Sequence, residues 1–346
     1  MEVLSLRQDE IAELASMFER ASTVAIAAHT HPDGDALGSC LALRSFLEDV
    51  LGKKAYIVNS DCMPSSLSFL CGGVTTYTYL PDSDLIVLLD ANAFDRTGNL
   101  EQELSGAQVP KVLIDHHLNP DRESFDLVFS RTCVSSACEL LYNILLAMPQ
   151  IGGNASKLPP AALYALMTGM TTDTNNFANS VFPSTLRMAS ELLDAGVDRE
   201  SIISHLYQEY RENRIQLFSY LLNRKLVVTE SGCAYVIMDE RTARAYDIQE
   251  GETEGLVNIP LGIRNVKISL FLKEEGDHFR VSIRSKRGYS ANSLARDHFN
   301  GGGHEQAAGG KLFRGRDIAA FEDAPDYIEK VVGPYLQSGT INAEKV

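Results

Sequence analysis

The sequence has 346 residues, of which 45% are hydrophobic and 22% are charged, and its formal net charge is −15. This composition is typical of a globular protein with enough chain for two domains. So acidic a protein is a poor candidate for binding long duplex nucleic acid, which depends on neutralising phosphates, and no apolar run approaches the roughly 20 residues needed to span a membrane.

The first twenty residues and the cysteines indicate a cytoplasmic protein. Residues 1–20 carry five acidic side chains, which argues against a signal or transit peptide and predicts an amphipathic surface helix. The six cysteines are scattered without C-x-x-C spacing, as expected for reduced thiols. We therefore expect a cytoplasmic location and no membrane partner.

The first predicted strand leads into a cluster of metal-type ligands. The apolar run over 23–28 predicts a buried parallel strand, and His29, Asp33 and Asp35 follow it before a helical pattern over 36–50. Imidazole together with carboxylates suits a divalent transition ion such as Mn²⁺. The glycine between the two carboxylates permits both to face one way. The alternative is an ordinary helix cap, in which one aspartate accepts backbone N–H groups.

Further metal-type side chains end two later strands. Apolar runs predict a second strand over 54–58, a third over 85–89 and a fourth over 111–114. The last two runs lead into Asp90 and into Asp115, His116 and His117. Strands alternating with helices predict a doubly wound parallel sheet, whose carboxyl edge would gather these side chains beside His29. Each residue alone has an ordinary explanation at a strand end, but their combination favours a metal site.

Another acid, Asp173, follows the helical pattern over 160–170, although taken alone it would be a turn aspartate. Helical patterns also predict helices over 135–147, 185–195 and 199–222. The last of these is long and polar. We interpret it as part of a connection between two domains.

The C-terminal third of the chain changes pattern and carries the basic region. Strands are predicted over 233–238, 266–272 and 279–284, and helices over 291–299 and 318–336. Residues 280–316 hold eight Lys/Arg against two Asp/Glu, a charge of +6 that leaves −21 for the remainder. Within this segment lies the stretch Gly301, Gly302, Gly303 and His304, whose N–H groups would approach a phosphate or carboxylate closely. The alternative is a flexible loop with an exposed histidine.

Together these residues resemble the DHH phosphoesterase superfamily. Its four ordered motifs match His29, Asp33, Asp35, Asp90, Asp115, His116, His117 and Asp173. Gly301 to His304, with Ala307-Ala308-Gly309 after them and Arg284 before them, resemble the DHH-associated C-terminal domain. The resemblance implies an α/β fold with a doubly wound, mainly parallel N-terminal sheet and a smaller C-terminal α/β domain. The implied boundaries are 1–195, a helical linker over 196–225, and 226–340, with the active-site cleft between the domains.

The resemblance also implies two Mn²⁺ ions, for which Mg²⁺ or Co²⁺ could substitute. The implied ligands are His29, Asp33 and Asp90 for the first ion, and Asp35, Asp90, His116 and Asp173 for the second. Asp90 would bridge the ions, and His117 would act on the substrate phosphate. His31 is expected to be a non-ligand, because the motif already fills both coordination spheres.

The implied substrate contacts lie in the C-terminal domain, where Arg284 and Gly301–His304 would bind the far end of the substrate. The segment 174–178 departs from the family pattern, which often has a glycine and then a basic residue there.

Members with this two-domain layout hydrolyse short oligonucleotides and 3′-phosphoadenosine 5′-phosphate, and the resemblance implies the same activity here. Two ions about 3.5–4 Å apart would share a water, lower its pKa and aim the hydroxide in line at phosphorus. The partners would be short single-stranded oligonucleotides or phosphorylated nucleotides. The oligomeric state, a homo-oligomer included, is left open.

Three other functions stay open at this stage. A manganese pyrophosphatase or exopolyphosphatase would share the metal motifs but would need a denser Lys/Arg cluster. A cyclic-dinucleotide phosphodiesterase usually adds membrane or sensory segments, which this sequence does not show. An inactive nucleotide-binding module would have no need for every metal-type residue.

Overall fold

Six parallel strands form the sheet of the N-terminal unit. The computed structural model describes residues 5–61 and 63–338 and divides the chain into two units at the Glu209–Tyr210 junction. The strands of the first unit are β1 (Thr23–Ala27), β2 (Lys54–Val58), β3 (Thr76–Tyr77), β4 (Leu85–Leu89), β5 (Lys111–Asp115) and β6 (Leu127–Ser130). They lie in the order β3-β2-β1-β4-β5-β6. The winding therefore reverses between β1 and β4, which confirms the predicted doubly wound sheet.

Helices and two apolar cores cover the faces of this sheet. The helices of the first unit are α1 (Gln8–Arg20), α2 (Gly34–Ser45), α3 (Ser68–Cys71), α4 (Glu101–Gly106), α5 (Ala137–Ala147), α6 (Pro160–Asp173), α7 (Pro183–Asp194) and α8 (Arg199–Tyr207). Val24 and Ile26 belong to one core together with α1, α2, α5 and α6, whereas Ala25 and Ala27 belong to the other together with Leu104 of α4. Alternate residues of β1 thus face opposite layers, as expected for a buried parallel strand.

Glycines allow α2 and α6 to pack closely. A Cβ atom added at Gly38 of α2 would lie 2.6 Å from the carbonyl oxygen of Ala165 in α6. A Cβ atom at Gly169 of α6 would lie 2.3 Å from Sγ of Cys138 and 3.0 Å from the carbonyl oxygen of Gly34. Since real Cβ atoms do not approach so closely, the helices can meet at this distance only where side chains are absent. Gly38 and Gly169 are therefore required by the close packing of these two helices.

Most elements predicted for the first unit agree with the structure to within a few residues. The short strands β3 and β6 and the short helices α3 and α4 were not predicted. The single helix predicted over 199–222 is wrong, because the chain leaves the helical conformation between Tyr207 and Glu212. Ile202 packs in the core of the first unit and Leu217 in a core of the second, so the predicted linker consists of two helices that belong to different units. Residues 1–4 of the predicted N-terminal surface helix lie outside the described residues, and α1 begins at Gln8.

The second unit has a mixed six-stranded sheet in the order β11-β12-β10-β9-β8-β7. Its strands are β7 (Val227–Val228), β8 (Cys233–Met238), β9 (Ile268–Glu275), β10 (His278–Ser285), β11 (Gly302–Gly303) and β12 (Ala307–Phe313). Its helices are α9 (Glu212–Arg224), α10 (Glu240–Ala245), α11 (Ala291–His298) and α12 (Ala324–Ser338). The strands predicted over 266–272 and 279–284 form the β9–β10 hairpin, with Gly276 in the left-handed conformation at its turn. The helix predicted over 318–336 begins only at Ala324.

Among the described helices of both units, no helix is both long enough and apolar enough to cross a membrane.

Candidate metal centre

The polar ends of β1, β4 and β5 converge at the carboxyl edge of the parallel sheet. β1 leads into His29, β4 leads into Asp90, and β5, whose last residue is Asp115, leads into His116 and His117. The reversal of winding lies at this edge, which is where open α/β sheets bind ligands. The structure therefore brings together the side chains that the sequence places at three separate strand ends.

Asp90 lies at the middle of this group. Its Oδ2 is 3.5 Å from Nε2 of His29, and its Oδ1 is 3.4 Å from Nε2 of His116. The side chain is buried, and Oδ1 accepts no hydrogen bond from any described residue. The backbone has a φ of +52°, which non-glycine residues rarely adopt. A buried carboxylate oxygen without a donor, on a strained backbone, is typical of a ligand-binding site.

Nε2 of His29 faces the carboxylates of the centre. Its Nδ1 lies 2.7 Å from the carbonyl oxygen of Thr30, which can only accept, so Nδ1 carries the proton. Nε2 lies 4.0 Å from Oδ1 of Asp33. The same Oδ1 caps α2 by accepting two N–H groups of its first turn at 3.0 and 3.1 Å. Asp33 therefore acts as a helix cap while its carboxylate still faces His29.

Asp35 is held by the N-terminus of α5. Its two carboxylate oxygens accept the N–H groups of Ala137 at 2.6 Å and of Cys138 at 2.9 Å. Such N–H groups have no partner within the helix, and the helix dipole favours a negative charge beside them. Oδ2 of Asp35 lies 3.6 Å from Nε2 of His116. The carboxylate is thus fixed in place by another helix.

Asp173, the last residue of α6, closes the group on its remaining side. Its Oδ2 lies 3.8 Å from Nε2 of His116. The close packing of α6 against α2 brings Asp173 to this edge of the sheet. Directly after it the chain turns sharply, because Asn175, Asn176 and Phe177 all have positive φ angles of +46°, +57° and +65°. This turn lies in the segment where the sequence departs from the family pattern.

His117 is held between an acid and an arginine. Its Nδ1 lies 2.8 Å from Oδ1 of Asp115, which is fully buried, and its Nε2 lies 3.3 Å from Nη1 of Arg96. Since the carboxylate accepts from Nδ1 and the guanidinium can only donate to Nε2, the ring is neutral with its proton on Nδ1. Burial lowers the pKa of His117, in agreement with a neutral ring.

The carboxylates and imidazoles shift one another's pKa. Burial, and next the charge of Asp90, raise the pKa of Asp35 to about 7. Burial also raises the pKa of Asp173 well above its usual range. Burial lowers the pKa of His116, but the carboxylates of Asp90 and Asp173 outweigh it and raise that pKa to about 10. Burial raises the pKa of Asp90, yet His116 and His29 hold it well below its usual range. Such crowding of carboxylates is relieved by a bound cation.

The donor atoms fit divalent metal ions. In each of two groups the three ligand atoms all lie within 4.8 Å of one another: His29 with Asp33 and Asp90, and Asp35 with Asp90 and His116. Asp90 belongs to both groups. An imidazole nitrogen that faces inward, several carboxylates and an unpaired Oδ1 are the donors that such ions need. Asp173 lies beside the second group through its contact with His116.

His31 faces a different acid. The backbone N–H of His31 donates to Oδ2 of Asp61 at 2.6 Å, and the ring Nδ1 lies 3.5 Å from the same oxygen. Its backbone is in the left-handed conformation, with a φ of +52°. Neither group of ligand atoms includes His31. That His31 is a non-ligand stays a prediction.

The glycine-rich stretch of the C-terminal unit is built into the sheet, and this corrects the expectation that its N–H groups are open to an anion. The N–H groups of Gly301, Gly303 and His304 donate to Ala295, Asn292 and Ala307 at 3.2, 3.0 and 2.7 Å. A Cβ atom at Gly301 would lie 1.9 Å from the carbonyl oxygen of Gly309, so this glycine is required by the close approach of β12. These N–H groups therefore do not form the open anion nest that the sequence predicts. Substrate binding by this stretch, Gly302 included, stays a prediction.

Arg284 lies on the polar face of β10. Val281 and Ile283 are buried on one face, whereas Arg280 and Arg284 lie on the other, as the alternation predicts. Nη1 of Arg284 donates to the carbonyl oxygen of Ile283 at 3.0 Å. Arg280 instead pairs with Oε1 of Glu250 at 3.1 Å. The contact of Arg284 with substrate stays a prediction.

Sequence reasoning missed two features of this centre. The first is the N-terminus of α5, whose N–H groups at Ala137 and Cys138 hold Asp35. No side-chain pattern could have shown it, because backbone groups make the contact. The second is Arg96, which lies six residues after Asp90 in the 3₁₀-helical segment Phe94–Leu100. A lone arginine after a predicted strand was the signal available.

Comparison with known proteins agrees with this geometry. Residues 23–170 match the DHH family, N-terminal domain, and residues 232–332 match the DHHA1 domain. The bifunctional oligoribonuclease and PAP phosphatase NrnA of Bacillus subtilis (strain 168) is 30% identical over 87% of this chain and 93% of its own length. The chain belongs to the DHH family. The resemblance that the motifs indicate is thereby confirmed, and this DHH protein is a hydrolytic phosphoesterase.

Two solved structures share the fold of this DHH protein. The crystal structure of an exopolyphosphatase-related protein from Bacteroides fragilis has a TM-score of 0.86 at 30% identity, with 97% of this chain and all of the other covered. The crystal structure of RecJ in complex with Mn²⁺ from Thermus thermophilus has a TM-score of 0.57 at 15% identity, with 97% of this chain and 55% of the other covered. The second likeness shows the fold alone.

Proposed function

We propose that this DHH protein is a Mn²⁺-dependent phosphoesterase that hydrolyses short oligonucleotides and 3′-phosphoadenosine 5′-phosphate. Relatives named for both activities match it over most of the chain. The observation that carries the metal dependence is the position of Asp90, whose buried carboxylate belongs to both groups of ligand atoms. A single carboxylate shared by two such groups suits a pair of ions.

We take the ligands from the two groups of ligand atoms and add Asp173 to the second, because its Oδ2 lies 3.8 Å from Nε2 of His116. His29, Asp33 and Asp90 would hold one ion, and Asp35, Asp90, His116 and Asp173 would hold the other. When bound, two divalent ions supply Lewis acidity and a water of lowered pKa at the scissile phosphorus. The chain itself contributes the fixed positions of these ligands, through α5 behind Asp35 and through the carbonyl oxygen of Thr30 behind His29.

His117 would act on the phosphoryl group, together with the bridging Asp90. Because Asp115 holds Nδ1, the ring atom that would face a substrate is Nε2, which in this structure contacts Nη1 of Arg96 at 3.3 Å. An incoming phosphate would raise the pKa of the ring, since a negative charge favours the protonated imidazole. The protonated ring could then deliver its Nε2 proton to the leaving oxygen.

A short substrate suits the charge distribution. The chain carries −15 overall, and its basic segment over 280–316 lies in the C-terminal unit. A long strand would need a broad basic groove, whereas one or two phosphates need only a local group of cations. We therefore propose a substrate of a few nucleotides, with Arg284 as one of its contacts.

The test is a substrate panel with the purified full chain and Mn²⁺. The panel holds an RNA dinucleotide, 3′-phosphoadenosine 5′-phosphate, a cyclic dinucleotide and pyrophosphate. We expect turnover of the first two and its loss in Asp90→Asn, whereas Asp82→Asn, which alters an exposed acid outside the centre, should behave as wild type. Near-normal turnover in Asp90→Asn would contradict the shared-ligand proposal.

A second candidate is hydrolysis of pyrophosphate or polyphosphate. It is favoured by the structural likeness to a protein described as exopolyphosphatase-related. In the same panel, pyrophosphate turnover well above that of the nucleotides would select this candidate. Preferential turnover of the cyclic dinucleotide would instead indicate a cyclic-dinucleotide phosphodiesterase.

The cytoplasmic location also stays a proposal and rests on the cysteines. Cys40, Cys138 and Cys233 are buried thiols outside any disulfide. Burial raises the pKa of Cys233 to about 12, which makes its thiol unreactive. Such thiols suit a reducing compartment.

A further inference from the structure

Arg96 places a positive charge at the edge of the metal centre, where it is not one of the proposed metal ligands. Its guanidinium Nη1 lies 3.3 Å from Nε2 of His117, and its side chain is half-buried. Its charge also acts on His29, on the other side of Asp90. An arginine therefore stands beside the ring that would face the substrate phosphate.

The backbone around Arg96 is fixed by contacts with the loop after β1. The carbonyl oxygen of Arg96 accepts the N–H of Thr30 at 2.8 Å. Gly98 has a φ of +64°, and a Cβ atom there would lie 2.6 Å from Cγ2 of Thr30. On the other side Phe94 stacks on Phe125 with 4.7 Å between ring centres. The guanidinium thus extends from a backbone held on two sides, which is how recognition groups are preorganised.

The charge of Arg96 is not matched by an acid. Five aspartates lie in or next to the centre, at positions 33, 35, 90, 115 and 173. None of these, and no other acid in the described ranges 5–61 and 63–338, forms an ion pair with Arg96; the guanidinium is instead directed at a neutral imidazole. A half-buried guanidinium that avoids nearby carboxylates is suited to an anionic ligand.

We infer that Arg96 binds a non-bridging oxygen of the substrate phosphate and so takes part in recognition of the phosphoester. This inference rests on the proposed function. The planar fork of a guanidinium suits the oxygens of a phosphate better than it suits a single imidazole nitrogen. When Arg96 turns to the phosphate, Nε2 of His117 is released toward the leaving oxygen.

The test compares Arg96→Ala, Arg96→Lys and the control Arg187→Ala, which removes an exposed arginine from α7. Binding of AMP to the full chain with Mn²⁺ is measured by calorimetry, and turnover of bis(p-nitrophenyl) phosphate gives kcat and KM. We expect Arg96→Ala to weaken AMP binding and raise KM by about 10- to 100-fold, the range for a charge-assisted hydrogen bond. Arg96→Lys should retain part of the binding, and metal content should stay at the wild-type level.

The outcomes separate this inference from the proposed function. If wild type binds AMP but turns over no phosphoester, the proposed function fails while the binding comparison still reports on Arg96. If wild type is active and Arg96→Ala binds AMP as wild type does, the inference alone is overturned. Loss of bound metal in Arg96→Ala would assign Arg96 to support of the centre and would also overturn it.

Discussion

Asp115 holds His117 by two hydrogen bonds. Its Oδ1 lies 2.8 Å from Nδ1 of the ring, and its Oδ2 accepts the backbone N–H of His117 at 3.0 Å. These two hydrogen bonds fix the orientation of the His117 ring and keep its proton on Nδ1.

We expect Asp115→Asn to lower kcat by about 10- to 100-fold, because an amide can offer its NH₂ to Nδ1 and force the opposite tautomer. Steady-state kinetics with Mn²⁺ gives kcat, and elemental analysis gives the metal content. Catalysis should fall while the metal stays bound. Equal loss of both would mean that Asp115 supports the metal ligands rather than His117.

Replacing His116 and replacing His117 should affect different properties, bound metal in the first case and kcat in the second. His116 contacts Asp35, Asp90 and Asp173, whereas His117 is held by Asp115 and Arg96. We therefore expect His116→Ala to lose bound metal. His117→Ala should keep the metal and lower kcat by roughly 10²–10⁴-fold, the range for a lost general acid. Elemental analysis of both variants decides the assignment, and similar metal loss in the two would refute it.

Metal binding should be linked to proton release. Below about pH 7 Asp35 carries a proton, and His116 carries one up to about pH 10. A cation must displace these protons, so affinity should rise with pH, and more steeply below pH 7 than above it. Calorimetric titration of Mn²⁺ in two buffers of different ionisation enthalpy measures the protons released. An affinity that is constant from pH 6 to pH 8 would contradict this linkage.

The sequence predicted which side chains meet at the carboxyl edge of the sheet better than it predicted the elements around them, for physical reasons. Runs such as 85–89 are apolar on both faces and too short for an ordinary helix, which favours buried strands whose following side chains share one sheet edge. The helix predicted over 199–222 fails because its apolar positions face two different cores, a fact of tertiary structure. Arg96 and the N-terminus of α5 were missed because long-range contacts alone bring them to the centre.

The close packing of α2 against α6 should be sensitive to one methyl group. In Gly38→Ala the new Cβ would lie 2.6 Å from a carbonyl oxygen of the facing helix, which has little freedom to move. We expect a loss of about 1–3 kcal/mol in the free energy of unfolding, the usual cost of overpacking. Gly106→Ala at the end of α4 is the matched control, because nothing lies within 4 Å of its added Cβ. Equal stability of the two variants in urea denaturation would refute the packing argument.

Arg284 and Arg280 offer a matched pair on one face of β10. Arg280 is engaged by Glu250, so Arg280→Ala should leave kcat/KM for an RNA dinucleotide nearly unchanged. Arg284→Ala should lower kcat/KM for the same dinucleotide. The expected loss of transition-state stabilisation is about 1.5–3 kcal/mol, the range for a hydrogen bond to a charged group. A small activated phosphodiester has no distal nucleotide, and its hydrolysis should be unaffected. If Arg284→Ala slows both substrates equally, this arginine supports the structure instead.

The order of the strands also determines when this centre can exist during folding. Val24 pairs with Leu85 across β1 and β4, although about 60 residues separate them in the chain, and the centre also needs His116 and Asp173. Contacts of such high sequence separation form late, after several crossovers have closed. A bound ion would stabilise only the completed N-terminal unit, by mass action. A metal-dependent rise in Tm would therefore report that this unit had finished folding, and a nascent chain that ends before α6 would lack the site.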